Sequence, residues 1–307
     1  MDEVIASVLV PLDGSALAEA ALPIGKAIAA RAGIPLRLVR VIDHERTAEA
    51  ERQAEHAVWE VARRADIEAQ LRVRVGDAAE EILREAGDLP RPLVVMTTHG
   101  RSGLGRWLIG SVADKVVRGG VAPVLLLRSG VAPIDPEAVH RMLVPLDGSA
   151  LAEDALPLAV ALAHTFAAEL HLARVAETTR LFTLTGTSQS PVPNTVLEEM
   201  VADLETEASD YLRPIVERLR PDGVPLRAVV LDGIPVEALL AYATTHEIGL
   251  VVVATHGRGG FNRLVLGSVA ERLLRQGQTP ILMVPPIRGS AARPDAGRAP
   301  AGGRARR

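Results

Sequence analysis

The strongest constraint on the fold is an internal repeat. The segment LVPLDGSALAE occurs at residues 9–19 and again, letter for letter, at residues 143–153. A second shared segment, THGR, stands at residues 98–101 and 255–258, in each case between a short apolar run and a helical pattern. Repeats this far apart exceed the units of solenoid proteins and indicate two copies of one domain. A chain of 307 residues is long enough for two such domains.

The repeat predicts two domains joined by a short linker. We expect the first domain over residues 1–130 and the second over residues 139–286, with a proline-containing linker at residues 131–138. The second copy has an insertion near residues 177–194, whose Thr, Ser and Pro content is typical of a loop. Residues 287–307 are rich in Gly, Ala, Pro and Arg and are expected to form a disordered tail.

Within each copy, strand patterns alternate with helical ones. The first copy predicts strands near residues 6–12, 36–42, 67–75, 92–97 and 123–127. The second copy predicts strands near residues 142–146, 170–175, 226–231, 249–254 and 280–284. Strict alternation implies right-handed crossovers and a parallel sheet covered by helices on both faces. The common order for five such strands is 2-1-3-4-5 or a close relative.

Two prolines fall inside predicted helices. Pro23 predicts a kink or interruption in the first helix of the first copy, which otherwise extends from Ser15 to about Arg31. Pro214 predicts a bend or break in the long helix expected at about residues 195–219 of the second copy.

A glycine-bearing loop follows the fourth strand of each copy and ends at the expected start of a helix. The pairs at these helix starts are Gly110-Ser111 and Gly267-Ser268. A strand, a glycine loop and a helix N-terminus together present backbone N–H groups to an anion, and the helix dipole favours negative charge. If the strand order reverses between strands 1 and 4, the turns at Asp13 and Asp147 face these loops. The pattern therefore predicts a phosphate-binding site in each copy.

Two purely structural interpretations compete with a ligand site. The segments Ser111–Asp114 and Ser268–Glu271 have the spacing of a capping box, which makes the serines candidate helix caps. Asp13-Gly14 and Asp147-Gly148 could be simple turns between strand and helix. Capping and anion binding can coexist at one helix N-terminus, so these interpretations stay open.

Composition and missing motifs narrow the function classes. A net charge of −4 and an aromatic content of 2% argue against nucleic-acid binding. No apolar run approaches the roughly 20 residues that span a bilayer, and the acidic N-terminus lacks a signal-peptide pattern, so a cytoplasmic protein without membrane contact is expected. The chain has no cysteine, hence no thiol nucleophile. No P-loop, dinucleotide fingerprint or nucleophile elbow occurs, and we predict no catalytic or metal-binding residue.

The combined motifs resemble those of the universal stress protein (UspA-like) family. The resemblance rests on the spacing Gly100-x9-Gly110-Ser111, repeated as Gly257-x9-Gly267-Ser268, on Asp13 and Asp147, and on Val41-Ile42-Asp43. It covers nearly all of both copies. It implies the α/β class: two tandem doubly wound five-stranded parallel sheets of order 3-2-1-4-5, in the adenine-nucleotide alpha-hydrolase-like, flavodoxin-like three-layer α/β/α arrangement.

The resemblance also implies an ATP site in each copy, with Mg²⁺ as a candidate companion ion. The ligand-binding residues expected in the first copy are Pro11, Asp13, Val41, Thr97, Gly100, Arg101, Gly110, Ser111 and Val112. Those expected in the second copy are Pro145, Asp147, Val175, Ala254, Gly257, Arg258, Gly267, Ser268 and Val269. The glycines would wrap the phosphates and the helix starts would offer N–H groups. The aspartates would accept hydrogen bonds from the ribose, the valine backbones would contact adenine, and the arginines would offset phosphate charge.

The chain departs from the family pattern at one position. ATP-binding members use Gly-x2-Gly-x9-Gly-(Ser/Thr), and Thr97 and Ala254 replace the first glycine, each adding a Cβ where backbone would approach a phosphate. Three hypotheses follow: an ATP-responsive stress or regulatory module, a nucleotide-free dimer scaffold, and a slow Mg²⁺-dependent ATP-hydrolysing enzyme. The resemblance further implies that the fifth strands, 124–127 and 281–284, pair as an intramolecular pseudo-dimer, and it leaves a homodimer of the chain open.

Overall fold

The computed structural model describes residues 4–42, 47–98, 109–128, 134–179, 194–255 and 266–286. The strands of the first half are β1 (Ser7–Leu12), β2 (Leu36–Ile42), β3 (Gln70–Val75), β4 (Pro92–Thr97) and β5 (Val124–Leu127). Those of the second half are β6 (Arg141–Pro145), β7 (Glu169–Ala176), β8 (Leu226–Asp232), β9 (Leu250–Ala254) and β10 (Ile281–Val284). Each strand lies within two or three residues of its predicted position, because nearly all are short apolar runs that only a buried strand accommodates.

Ten α-helices alternate with these strands in the described residues. The helices of the first half are α1 (Ala16–Glu19), α2 (Leu22–Ala32), α3 (Ala48–Arg64), α4 (Ala78–Asp88) and α5 (Ser111–Gly119). Those of the second half are α6 (Ala150–Glu153), α7 (Leu156–Phe166), α8 (Asn194–Leu219), α9 (Pro235–Thr245) and α10 (Ser268–Gln276). None of these helices combines the length and the hydropathy that crossing a membrane requires.

The strands form one sheet of order β3-β2-β1-β4-β5-β10-β9-β6-β7-β8. Within each half the order is therefore 3-2-1-4-5 and every pairing is parallel, as the resemblance implied. The one antiparallel pairing joins β5 to β10, with Leu125 opposite Leu282. This pairing removes two strand edges that would otherwise be open to other chains.

Helices cover both faces of the sheet in the first half. Alternate residues of β1 enter different cores: Val8 and Val10 pack in the core beneath α2 and α3, whereas Leu9 packs in the core beneath α4 and α5. Because the crossovers on the two sides of the β1–β4 pair use opposite faces, this pair is the point where the strand order reverses.

The two predicted helix interruptions have different outcomes. The interruption at Pro23 is confirmed, since α1 ends at Glu19 and the proline stands in the first turn of α2, where its missing N–H costs nothing. The predicted break at Pro214 is wrong, because α8, 26 residues long in total, includes the proline without interruption; the alternative of a bend stays a prediction. Leu212 and Ile215, on either side of the proline, are buried at 0% and 3% exposure, and their packing outweighs the lost hydrogen bond.

Some predictions concern segments outside the described residues. The linker at 131–138 is described only from residue 134, and the tail at 287–307 lies outside the described residues. The domain boundaries therefore stay predictions.

Candidate functional site

The candidate site of each half lies at the carboxyl ends of two neighbouring parallel strands. These are β1 and β4 in the first half and β6 and β9 in the second. The loops that follow such strands converge at one edge of the sheet, at the reversal of strand order where ligands of doubly wound sheets bind. The turn at Asp13 and the start of α5 both follow strands that end at this edge in the first half, as do the turn at Asp147 and the start of α10 in the second.

The aspartate of each turn is oriented by the serine two residues later. Asp13 Oδ1 accepts hydrogen bonds from the Ser15 backbone N–H at 2.8 Å and from the Ser15 hydroxyl at 2.6 Å. The same contacts at Asp147 measure 2.9 and 2.6 Å, from Ser149. Each serine oxygen in turn accepts the backbone N–H three residues later, and so caps the short helix that follows. The Asp-Gly-Ser segments are therefore turns between strand and helix, whose hydrogen bonds fix the direction of each carboxylate; a ligand role of the aspartates stays a prediction.

The glycine of each turn makes room for an arginine of the neighbouring strand. Gly14 and Gly148 have φ of +82° and +87°, which a residue with a Cβ rarely adopts. A Cβ on Gly14 would lie 2.9 Å from Arg40 Nη1, and one on Gly148 would lie 2.5 Å from Arg174 Nη1. Each guanidinium group therefore packs directly against the backbone of the turn.

Glycine, not serine, stands at the N-cap of the helix in each candidate site. The N-cap residues are Gly110 and Gly267, and no side chain caps either helix in the described part of the chain. The N–H of Gly110 donates to the carbonyl of Thr98 at 2.7 Å, and that of Gly267 donates to Thr255 at 2.7 Å. These bonds hold each helix start against the end of the preceding strand.

The capping-box interpretation is therefore wrong. Ser111 and Ser268 are the first helical residues and are exposed. The acidic residues of the predicted capping boxes bind residues farther along the helix instead of its N-terminus. Asp114 accepts a hydrogen bond from Arg118 at 2.8 Å, and Glu271 accepts one from Arg275 at 2.9 Å. These side chains are directed along the helix, whose first N–H groups form the positive end of its dipole.

The remaining described site residues lie around this edge. Thr97 and Ala254 end their strands and are buried, each at 6% exposure. Val41 and Val175 stand near the ends of β2 and β7 and are half-buried. The others are Pro11, which is buried, and Pro145, Val112 and Val269, which are half-buried. Gly100, Arg101, Gly257 and Arg258 lie outside the described residues, so their part in the site stays a prediction.

The arrangement has features that anion-binding sites share. Each half brings together a carboxylate that can accept hydrogen bonds from hydroxyl groups and a helix start that can donate them to an anion. In the described residues, no group of three or more His, Cys, Asp or Glu side chains is placed to hold a metal ion.

Comparison with known proteins gives the family. The model of the universal stress protein family matches residues 5–128 and again residues 138–285. The chain belongs to the universal stress protein family. Both matches coincide with the two halves of the sheet, so this universal stress protein has two family repeats in tandem.

Individual relatives agree with this assignment. The universal stress protein Rv2005c of Mycobacterium tuberculosis is 32% identical over 192 residues, which are 62% of this chain and 61% of the relative. The aligned region thus spans about three fifths of that curated relative. The universal stress protein YxiE of Bacillus subtilis is 29% identical over 145 residues, 47% of this chain and 98% of its own length.

A solved structure has the same fold. A universal stress protein from Archaeoglobus fulgidus superposes with a TM-score of 0.70 at 21% identity, covering 91% of this chain and 98% of that one. The doubly wound α/β architecture of this universal stress protein is therefore shared with an experimentally determined family member.

Two arginines that contact the turns are not among the residues predicted from the sequence. Arg40 and Arg174 follow Asp13 and Asp147 at the same interval, on β2 and β7. An arginine at the same position of the second strand in both copies was the signal that could have identified them. Tyr211, on α8, carried no such signal, because the first half has no tyrosine in its corresponding helix α3.

Tyr211 lies beside the second-half turn. Its hydroxyl donates to Glu153 Oε1 at 3.2 Å, and its ring faces the guanidinium group of Arg174. Burial raises the pKa of the Tyr211 hydroxyl well above its usual range, and the nearby charge of Glu153 raises it further. The hydroxyl is therefore neutral, and the ring packs on the arginine that contacts the Asp147 turn.

Proposed function

We propose that this universal stress protein binds an adenine nucleotide, ATP, in one or both halves and acts as a nucleotide-responsive stress or regulatory module of the cytoplasm. The observation that carries the proposal is the start of α5 and of α10. Each begins at a glycine without a side-chain cap, next to an oriented aspartate at the reversal of strand order. The phosphates would lie at the helix start and the ribose beside Asp13 or Asp147.

The protein's own residues explain why a triphosphate would be the preferred ligand. A helix N-terminus attracts negative charge, and the attraction increases with the charge of the ligand. Arg101 and Arg258 lie within the glycine loops, directly after Gly100 and Gly257, and would add positive charge, with Mg²⁺ as a companion of the bound nucleotide. We further propose that the paired β5 and β10 make the two halves an intramolecular pseudo-dimer, the form in which the module works.

Equilibrium dialysis with Mg²⁺ and radiolabelled ATP tests the proposal. The test variant is Ser111→Asp combined with Ser268→Asp. An acidic residue in the first turn of a helix favours folding but repels a phosphate from the same N–H groups. Ser111→Asn with Ser268→Asn is the matched control, because asparagine has the same shape without the charge.

The wild type and the asparagine control are expected to bind ATP, and the aspartate variant is expected to bind at least about tenfold more weakly. Absence of binding to the wild type at millimolar ATP would favour a nucleotide-free scaffold. Binding that is unchanged in the aspartate variant would place the nucleotide elsewhere. A turnover assay on the same three proteins separates a binding module from an ATP-hydrolysing enzyme.

A further inference from the structure

The two candidate sites differ in what surrounds the arginine of their turn. In the second half, the guanidinium carbon of Arg174 lies 4.9 Å from the centre of the Tyr211 ring, and its Nη2 lies 3.7 Å from Glu207 Oε1. Tyr211 also donates to Glu153 on α6. Helix α8 therefore contacts both segments that flank the Asp147 turn, β7 on one side and α6 on the other.

The described residues of the first half contain no counterpart of these contacts. Arg64 on α3 binds Glu19 at 3.1 Å, just as Arg218 on α8 binds Glu153 at 2.6 Å, so these arginines align the two helices. With that alignment, Ala57 stands in the place of Tyr211 and Gln53 in the place of Glu207.

Because Ala57 and Gln53 replace the tyrosine and the glutamate, Arg40 has different neighbours from Arg174. Gln53 donates to Glu49 within its own helix, and an alanine offers no ring. Within the described ranges, Arg40 has neither an ion-pair partner nor a ring contact.

The arginine and the serine of the turn are also more deeply buried in the second half than in the first. Arg174 and Ser149 are buried at 9% and 4% exposure, whereas their counterparts Arg40 and Ser15 are only half-buried. The second turn also packs more closely on its arginine, at 2.5 Å from the position of a Gly148 Cβ against 2.9 Å at Gly14. The Asp147 turn is thus fixed by its neighbours before any ligand arrives.

A site that is already ordered loses less conformational entropy when it binds a ligand. We propose that Tyr211 is a positioning residue of the second-half site: through Arg174 it holds the Asp147 turn in place, so that the second half binds the nucleotide more tightly than the first. The inference rests on the proposed nucleotide function and adds to it an order of occupancy. The smaller residue at the altered glycine position, Ala254 against Thr97, acts in the same direction.

Single-site variants of the full chain test the inference by titration calorimetry with Mg²⁺ and ATP. Ser111→Asp weakens the first site and Ser268→Asp weakens the second, and a two-site fit to each titration gives the affinity of the unaltered site. The second site is expected to bind about fivefold to tenfold more tightly than the first, in line with one cation–π contact and the ordering it provides.

Substitutions of Tyr211 are then made in each single-site protein. With the first site weakened, Tyr211→Ala is expected to weaken ATP binding at the second site about fivefold to tenfold, whereas Tyr211→Phe, which keeps the ring over Arg174, stays within about twofold of the parent. With the second site weakened, Tyr211→Ala is expected to leave binding at the first site unchanged, which excludes a general loss of fold. Glu205→Ala, at an exposed position of α8, controls for changes to the helix itself.

Each outcome decides between the two proposals. Equal affinities of the two single-site proteins would overturn the inference and leave the nucleotide function standing. Equal losses in Tyr211→Phe and Tyr211→Ala would overturn the role of the ring, because the hydroxyl contact to Glu153 would then be responsible. No ATP binding by the wild type would overturn the nucleotide function, and the inference with it.

Discussion

At the scale of single residues, the Asp-Gly-Ser turn performs a structural and a ligand-facing task with the same atoms. Asp13 Oδ1 is occupied by the backbone and hydroxyl of Ser15, which fixes the direction of the whole carboxylate. A carboxylate held in this way loses little freedom when it accepts a hydrogen bond from a ribose. The glycine between them allows the left-handed backbone and the close approach of the arginine.

Replacing this glycine is expected to cost more stability than replacing a glycine with the same backbone and open surroundings. Gly148→Ala combines a φ of +87° with contact to Arg174, whose own position is fixed by Tyr211 and Glu207. Gly33→Ala is the matched control, because its φ is +66° and nothing lies within 4 Å of the new methyl group. In urea unfolding, we expect Gly33→Ala to lower the free energy of unfolding by about 1 kcal/mol and Gly148→Ala by about 2 kcal/mol or more. Equal losses would show that the contact with Arg174 adds nothing.

The sequence predicted the residues of the turn but not its neighbours. Asp13, Gly110 and their repeats stand in motifs whose spacing has a direct physical meaning. Arg40 and Tyr211 become relevant only when a neighbouring strand and a distant helix are brought beside the turn, and local patterns contain no such information. The capping box failed for a related reason, since Asp114 has an alternative partner, Arg118, one turn along the helix.

At the scale of elements, the two halves differ in the side chains that connect the sheet to one helix. The first half has charged residues there, and the second half has a histidine, a leucine and a tyrosine. In the first half, the buried Glu85 of α4 binds Arg37 of β2 and Arg74 of β3, each at 2.5 Å. Arg74 also binds Asp88, and this hydrogen bond raises the pKa of its guanidinium group. The second half has His171, Leu231 and Tyr242 at the corresponding positions, with a hydrogen bond of 2.8 Å between His171 Nδ1 and the Tyr242 hydroxyl.

Removing the charge of Glu85 is expected to destabilise the first half strongly. Glu85→Gln leaves two guanidinium groups, at 16% and 26% exposure, near each other without their shared carboxylate. We expect the free energy of unfolding to fall by about 3–5 kcal/mol, as is usual when one partner of a buried ion pair is removed. Denaturant unfolding measures the loss.

The second half supplies the control for this experiment. The triple variant Arg37→His, Arg74→Leu and Glu85→Tyr introduces the second-half set into the first half. It is expected to recover more than half of the stability that Glu85→Gln loses, because it removes both arginines together with the glutamate and so leaves no unpaired guanidinium group. A triple variant no more stable than Glu85→Gln would show that these positions in the first half are not equivalent to the corresponding positions in the second half.

The bounds of a helix or strand were predictable where the sequence indicated a short segment that is buried along its whole length. The strand β4 is buried throughout, and its predicted and observed bounds coincide at residues 92–97. The continuity of α8 was not predictable from the helix alone, because it depends on the packing of Leu212 and Ile215 against the sheet.

At the scale of the whole molecule, the antiparallel pairing of β5 and β10 makes one sheet of the two repeats. Its residues are as buried as a domain core, with Leu125 at 1% and Leu282 at 0% exposure. The outer edges of the combined sheet are β3 and β8, both partly exposed and both carrying arginines, which discourages pairing with other chains.

Hydrogen exchange of the full chain is expected to show this junction directly. The amides of β5 and β10 should exchange as slowly as those of β4 and β9, and much more slowly than those of β3 and β8, since exchange follows local opening. Rapid exchange in both β5 and β10, at the rate of the outer strands, would show that the two halves separate readily in solution.

The overall architecture was accessible from the sequence because two independent signals agreed. The letter-for-letter repeat indicated two domains, and strict alternation indicated a parallel sheet in each. The strand order and the edge-to-edge pairing of β5 and β10 came from the family resemblance, since no local pattern states which strands are neighbours.

The most direct test of the central claim is an experimental structure of the full chain with Mg²⁺ and ATP. The account predicts a triphosphate with its oxygens about 3 Å from the backbone nitrogens of Ser111 and Val112, of Ser268 and Val269, or of both pairs, and a ribose beside Asp13 or Asp147. A structure in which side chains fill the space between these aspartates and the helix starts, with the nucleotide absent or bound elsewhere, would contradict it.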